Sequence, residues 1–462
     1  MLNAFKSSTK IILKHLSKLI LFITFLLLYL TISAQNNFNL IHLPEAYKLI
    51  NQSTYLSSKV VVAIIDKGVD LDHEDLADNI WLNEFEIMGN SIDDDMNGFI
   101  DDMNGWNFMD STNDVSIDGI GNYHGTPVNG IIGACYNSYG VKGVCKNVML
   151  LNLVKDNSIE SIENSLRYIY KMRKSYNESN GQKGAFIVAV NCSWGKDSLL
   201  ANDYPNWCSL YDSLGAQGIL CVSSVPNDNV NVEVYSDMPT TCSSDFLITV
   251  TNTDQYDRKV ASAAYGNISV DIGAPGNNSY TTLNTGGYGY FSGTSAASPY
   301  VTGAVALMYS LPIKQFHEDI NKTPSETALL IKSSILDGVD QLTSLYGKTT
   351  SGGRLNVFKS MKIICDHYNA YNLYENIFNS TEILSVFPNP IESNAYVLIE
   401  SKTEKNICLD VQSINGQKTI SLNTSLREGI QNIELDLSFI QKGIYILKIS
   451  DENEIRTIKI IK

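Results

Sequence analysis

A serine in a glycine-rich turn could act as a nucleophile in this chain. Ser295 follows Gly293 and Thr294, and the apolar run at 300–308 behind it predicts a helix. Backbone N–H groups at the start of a helix favour negative charge, so a carbonyl attacked there would have its oxyanion stabilised. The alternative interpretation is an ordinary helix cap and turn.

An aspartate and a histidine that precede Ser295 in the chain also lie at the ends of predicted elements. Asp66 directly follows residues 60–65, an apolar, β-branched run that predicts a buried parallel strand. His124 precedes a helical pattern, where a neutral imidazole suits a base better than a structural cation. Each could equally be an ordinary turn or surface residue. Together with Ser295 they predict a nucleophile, a base and a carboxylate that fixes the base's tautomer.

An asparagine could complete such a site. Asn227 follows the predicted strand 219–225 and Pro226. Its side-chain amide could donate a hydrogen bond to an oxyanion, although a simple loop asparagine is the alternative.

Alternating elements are predicted to position these residues. Between residues 59 and 364, short β-branched runs alternate with amphipathic helical patterns such as 158–174. This alternation predicts an α/β domain with a parallel sheet flanked by helices, spanning residues 35–365. Its functional residues should lie beyond the carboxyl ends of the strands.

The C-terminal fifth has a different pattern. Residues 366–381 are rich in Asn and Tyr and predict a linker. Residues 382–462 carry only short strand patterns, with an Asn415-Gly416 hairpin signal between two of them. A small all-β sandwich is therefore predicted here.

The N-terminus predicts export. Residues 1–34 combine four lysines, an apolar run of about 14 residues and small residues before Gln35, which is typical of a signal peptide cleaved after Ala34. An uncleaved anchor is the alternative, but a spanning helix needs about 20 apolar residues. We expect no integral membrane segment after signal removal.

The net charge bears on possible partners, and the cysteine content bears on disulfide pairing. The formal net charge is −15, which argues against nucleic acid as a partner because phosphate binding needs a basic surface. Eight cysteines remain open to disulfide pairing after export. Cys135, Cys192 and Cys221 lie in apolar runs and could equally be buried free thiols.

Four ordered segments resemble the subtilisin-like serine peptidases, or subtilases. They are residues 61–70, 124–130, 218–228 and 293–299. The order Asp…His…Ser is that of subtilisin. The resemblance implies a subtilisin-like fold and hydrolysis of peptide bonds in protein or peptide substrates, with no cofactor in the catalysis.

The resemblance also implies a role for each residue. Ser295 would be the nucleophile, His124 the base and Asp66 the residue that orients it. The Asn227 side chain and the Ser295 N–H would form the oxyanion hole. Ser193, Trp194 and Gly195 resemble the strand that pairs with substrate backbone, although Trp194 could instead be packed in the core.

The chain departs from the family pattern near these residues. Lys67 follows the aspartate, and Pro226 stands where glycine is common, which could shift Asn227 and narrow the specificity pocket. The alternative from a different functional class is a catalytically inactive surface or binding protein on the same fold.

An acidic insertion between Asp66 and His124 predicts a calcium site. Within residues 93–102, oxygen-bearing side chains stand at the alternate positions 93, 95 and 97, and Gly98 follows them. We expect the ligands Asp93, Asp95, Asn97 and Asp101. A solvated acidic turn is the alternative.

The C-terminal segment resembles a type IX secretion sorting domain. The resemblance rests on residues 386–390, 415–417, 442–445 and 459–462. It implies that residues 382–462 engage the type IX machinery. The protein would then cross both membranes of a Gram-negative bacterium and be secreted or displayed at the cell surface. A β-sandwich binding module is the alternative.

Overall fold

The chain divides into two compact units, Met1–Tyr368 and Asn369–Lys462. The computed structural model describes residues 37–50, 59–116, 124–374, 381–413, 417–451 and 455–462. The predicted signal peptide, 1–34, lies outside the described residues.

The first unit is built on a nine-stranded sheet with the order β12-β13-β9-β8-β6-β4-β1-β3-β2. All neighbouring strands run parallel except β12 and β13. The strands are β1 (Val60–Asp66), β2 (Gly105–Asn107), β3 (Val148–Val154), β4 (Ile187–Cys192), β6 (Leu220–Ser224), β8 (Leu247–Thr253), β9 (Ile272–Pro275), β12 (Asp340–Gln341) and β13 (Gly353–Arg354). This confirms the predicted α/β fold with a parallel sheet.

Two short antiparallel pairs accompany the sheet. They are β5 (Lys196–Asp197) with β7 (Asp237–Met238), and β10 (Ser279–Leu283) with β11 (Gly287–Phe291). Both pairs lie next to residues predicted to form the site, because β5 follows Gly195 and β11 precedes Gly293.

Helices flank the sheet. They are α1 (Leu43–Ile50), α2 (Gly125–Gly133), α3 (Ile159–Glu178), α4 (Pro205–Ala216), α5 (Val232–Tyr235), α6 (Thr294–Met308), α7 (Lys314–Lys322), α8 (Pro324–Asp337) and α9 (Val357–His367). The last of them extends two residues into the segment predicted as a linker.

Burial on both faces explains the strand sequences. Every residue of β1 is buried, and Val61, Ala63 and Ile65 pack in one cluster with apolar residues of α3 and α4. Every residue of α6 is also buried, and this helix packs against β4, β6 and β8. An apolar run without alternation is what such a doubly covered strand or central helix requires.

The second unit consists of two antiparallel sheets around its own core. The three-stranded sheet has the order β14-β15-β18 and the four-stranded sheet β17-β16-β19-β20. The strands are β14 (Thr381–Phe387), β15 (Asn394–Ser401), β16 (Lys405–Ser413), β17 (Lys418–Leu426), β18 (Gly429–Asp436), β19 (Ile444–Ser450) and β20 (Ile455–Ile461). Their inward residues form one apolar cluster, which confirms the predicted all-β domain. The Asn415-Gly416 turn lies outside the described residues.

The cysteines are mostly free thiols. One disulfide joins Cys208 on α4 to Cys242 after β7. Cys135, Cys192 and Cys221 are buried and unpaired, so the free-thiol interpretation holds for them. In the part of the chain that the structure describes, no helix is long and apolar enough to cross a membrane.

Candidate active site

Asp66 and His124 are in direct contact. His124 Nδ1 lies 2.9 Å from both Asp66 carboxylate oxygens. Asp66 is the last residue of β1 and is buried, whereas the His124 side chain is about one-third exposed (31%). The carboxylate therefore holds one ring nitrogen and leaves the other available.

Close packing of α2 against the end of β1 sets this contact. A methyl group on Gly125 would lie 2.0 Å from the Gly68 carbonyl oxygen, so only glycine allows the helix to start this near the strand. The Lys67 backbone N–H donates to Asp66 Oδ1 at 2.8 Å and fixes the carboxylate plane.

Opposing effects set the pKa of His124. Burial lowers it, while the charge of Asp66 and its hydrogen bond raise it by more, so the net pKa lies above its ordinary value. Lys67 and Lys155 oppose this rise electrostatically. The imidazole is therefore a stronger base than a free histidine.

Ser295 lies in the first turn of α6 and is joined to the strand edge. Its Oγ donates to the Ser193 carbonyl oxygen at 3.0 Å. The Ser193 hydroxyl in turn donates to the Ser295 carbonyl oxygen at 2.9 Å and accepts from Asn191 at 2.8 Å. Since Ile64 of β1 pairs with Asn191 of β4, Asp66 and Ser193 leave neighbouring strands at the same level.

The turn before α6 requires glycine. Gly293 caps the helix with φ +117°, in the region that side chains rarely adopt. A methyl group there would also come within 3.0 Å of Asn227 Oδ1. The turn thus aligns the first N–H groups of α6 beside Asn227.

Asn227 is anchored by its oxygen. Its Oδ1 accepts from the Thr294 backbone N–H at 3.0 Å and from the Thr294 hydroxyl at 3.2 Å. Asn227 is exposed, and these contacts leave its amide nitrogen free to donate, as a side chain that stabilises an oxyanion must. Pro226 keeps its carbonyl in a backbone hydrogen bond from Ala264 at 2.9 Å and does not prevent the anchoring of Asn227.

The predicted substrate-binding strand has one buried and two accessible residues. Ser193 is buried, and its hydroxyl is bonded to Asn191 and to the Ser295 carbonyl oxygen. Trp194 is partly exposed, and its Nε1 donates to the Ile65 carbonyl oxygen at 2.6 Å. Lys155 Nζ lies 4.4 Å from the centre of the Trp194 ring. Gly195 is exposed.

The acidic insertion gathers a set of carboxylates that differs from the predicted ligands. Oxygens of Glu86, Asp95 and Asp102 lie within 4.8 Å of one another. Burial raises the pKa of Asp102 to about 7, against hydrogen bonds that include one from Tyr168. Of the four predicted ligands, only Asp95 belongs to this group.

The other three predicted ligands hold the loop together. Asp93 accepts from the backbone N–H groups of Asn97 and Gly98. Asp101 accepts from three consecutive N–H groups at residues 89–91. The Asn97 amide nitrogen donates to Asp95 and Asp102. The alternating side chains at 93–101 thus stabilise the turn. Glu86 was not among the predicted ligands because it lies seven residues before this pattern begins.

Thr294 is a further site residue that the sequence reasoning missed. Its backbone N–H donates to Asn227 Oδ1, and its single hydroxyl proton is shared between the Val225 carbonyl oxygen at 2.6 Å and Asn227 Oδ1 at 3.2 Å. Its position between Gly293 and Ser295 is the sequence feature from which this role could have been predicted.

The chain is similar to known proteins in sequence and in fold. Residues 57–353 match the Subtilase family, and residues 385–462 match a secretion system C-terminal sorting domain. Subtilisin-like protease 1 of Plasmodium berghei (strain Anka) is 29% identical over 364 residues, which cover 73% of this chain and 55% of that protein. The chain thus spans about half the length of that relative.

Two further comparisons agree. Thermitase of Thermoactinomyces vulgaris is 26% identical over 333 residues, covering 70% of this chain and 94% of thermitase. The crystal structure of the epidermin leader peptide processing serine protease from Staphylococcus aureus matches with a TM-score of 0.51 at 20% identity, covering 72% of this chain and 81% of that one. The family match extends over more than half of the chain and includes Asp66, His124 and Ser295; the chain belongs to the Subtilase family.

Proposed function

We propose that this protein is a secreted serine endopeptidase that cleaves peptide bonds through an acyl-enzyme on Ser295. The observation that carries the proposal is the contact of His124 Nδ1 with both oxygens of buried Asp66, at the sheet edge to which Ser295 is tied. Acyl transfer needs a buried carboxylate that fixes an imidazole and a serine at a helix start within reach of that imidazole, and the first of these is seen here.

Proton transfer through His124 drives the reaction. The Ser295 hydroxyl turns from the Ser193 carbonyl to the free imidazole nitrogen, which takes its proton as Oγ bonds to the substrate carbonyl carbon. The resulting oxyanion accepts hydrogen bonds from the Ser295 N–H and the Asn227 amide nitrogen. When the carbon–nitrogen bond breaks, His124 returns the proton to the leaving amine, and water then releases the acyl group by the same route.

Asp66 favours proton transfer from Ser295 to His124. Its carboxylate accepts the Nδ1 proton of neutral His124, which leaves the other nitrogen as the acceptor, and it stabilises the imidazolium that forms. The substrate would lie along Ser193–Gly195 as an added strand, held by main-chain hydrogen bonds.

We further propose a structural divalent cation, Ca²⁺, at Glu86, Asp95 and Asp102. All three supply hard carboxylate oxygens within 4.8 Å, which suits calcium. Its role would be to offset the repulsion of three clustered carboxylates and so to stabilise the insertion between β1 and α2.

The match to a sorting domain supports export of the protein from the cell. We propose that residues 382–462 direct type IX export across the outer membrane, and that the protein acts outside the cell or at its surface. The domain has its own core, which is consistent with recognition as a separate unit.

A fluorophosphonate probe tests the catalytic proposal. We expect the probe to label the wild-type protein and the Ser333→Ala control, since Ser333 is an exposed helix serine, but not Ser295→Ala. Peptidase turnover of Ser295→Ala should fall by about 10⁶-fold, the loss found when the triad serine of subtilisin is removed. A folded wild-type protein that is not labelled would support the inactive binding protein instead.

The pH dependence should report the His124 pKa. Catalysis needs neutral imidazole, so activity should be full above the pKa and fall as the pH drops through a midpoint above about 6.5. An NMR titration of His124 in Ser295→Ala should give a matching midpoint. Introducing Asp66→Asn should move it downward because the charge that raises the pKa is gone. A midpoint below pH 6, or one that Asp66→Asn leaves in place, would rule out this assignment.

Calcium should raise the melting temperature. A site saturated 100-fold above its Kd stabilises a protein by about 2.7 kcal/mol, so chelation should lower Tm by several degrees. The shift should vanish in Asp95→Asn and persist in Asp114→Asn, an exposed acid of the same insertion. The metal proposal fails if calorimetry detects no Ca²⁺ binding and chelator leaves Tm unchanged.

Deletion of residues 382–462 should trap the protein in the periplasm. Full-length Ser295→Ala is the control and should be exported normally, since export rests on the sorting domain rather than on activity. Fractionation followed by immunoblotting measures both. Export of the truncated chain at the wild-type level would refute the sorting role.

A further inference from the structure

Asp237 is a buried carboxylate that the mechanism above does not use. Its side chain has no exposed surface. One oxygen, Oδ2, accepts from the Thr240 hydroxyl, while Oδ1 has no hydrogen-bond partner among the residues that the structure describes. A buried carboxylate oxygen without a partner costs free energy, so its retention requires an explanation.

The surroundings of Asp237 add negative charge. Asp237 stands directly opposite Asp197 in the β5–β7 pair, where like charges repel. Burial above all, and then the charge of Asp197, raises the pKa of Asp237 to about 7 against hydrogen bonds from Thr240. Over the described ranges, no Lys, Arg or His side chain forms an ion pair with it.

Asp237 lies directly beneath an exposed glycine of the candidate substrate strand. A methyl group on Gly195 would lie 2.9 Å from Asp237 Oδ1. Gly195 comes two residues after Ser193, whose carbonyl oxygen is 3.0 Å from Ser295 Oγ. Two residues span at most about 7 Å, so Gly195 and the unpartnered oxygen beneath it belong to the short strand segment that Ser295 Oγ contacts.

We propose that Asp237 selects substrates with lysine or arginine at the residue whose carbonyl Ser295 attacks. The inference rests on the proposed peptidase function and names its substrate class. A peptide laid along Ser193–Gly195 would direct this side chain past Gly195, where no side chain stands between the peptide and Oδ1. Asp237 has no exposed surface in the free protein, so it would have to be uncovered as the cation enters. The cation would then pair with Oδ1, supply the absent partner and offset the repulsion from Asp197.

Peptide cleavage tests the proposal. In a series differing only at this residue, wild-type kcat/KM should favour Lys and Arg over Leu by about 10- to 100-fold, the range expected for a hydrogen bond to a charged group. Asp237→Asn keeps the shape and removes the charge, and should collapse this ratio. The control Asp203→Asn, at an exposed acid, should keep it. A wild-type protein without the preference, or an Asp237→Asn protein that retains it, would overturn the inference.

Two further measurements keep the test decisive. Benzamidine, a small cation, should inhibit the wild-type protein competitively, and absence of inhibition at millimolar concentration would count against Asp237 even if Asp237→Asn does not fold.

Fluorophosphonate labelling of the wild type separates the two proposals. An unlabelled wild type defeats the peptidase function itself, whereas a labelled enzyme without basic preference defeats only the role of Asp237.

Discussion

The contact between Asp66 and His124 is the interaction on which the site depends. It places a carboxylate at the end of β1, where burial would otherwise make the charge costly, and satisfies it with an imidazole and a backbone N–H. The contact exists only because α2 begins against the strand, and Gly125 is what permits that approach. The packing of one helix on one strand end thus sets both the orientation and the basicity of His124.

A second constraint comes from the first turn of α6. Gly293 turns the chain so that Thr294 anchors the Asn227 oxygen, and Ser295 is tied to the end of β4. The same turn therefore holds Asn227 and Ser295, the residues proposed as oxyanion donor and nucleophile. Because α6 is buried along its whole length, this turn cannot shift without disturbing the core.

The sequence was informative where chemistry and secondary structure coincide. Asp66, Asn227 and His124 each follow or begin a strongly patterned element, so the parallel sheet and the positions of its edge residues could be predicted. The carboxylate cluster of the acidic insertion could not be predicted, because the geometry of the loop decides which of its carboxylates lie together. Alternate spacing does not distinguish Asp93, which holds a turn, from Asp95, which faces Glu86 and Asp102. The Cys208–Cys242 pairing likewise depends on tertiary contact.

Asp237 shows why burial has to be read together with hydrogen bonding. Asp66 and Asp102 are also buried, yet both oxygens of each carboxylate have a hydrogen-bond partner. Nothing in the sequence around Asp237 separates it from them, since a short strand with one aspartate has no chemical pattern. Its difference lies in the one oxygen left unpaired under Gly195. A buried carboxylate with one unpaired oxygen, next to the proposed substrate strand, can form an ion pair only if a cation reaches it, and the proposal is that the substrate supplies this cation.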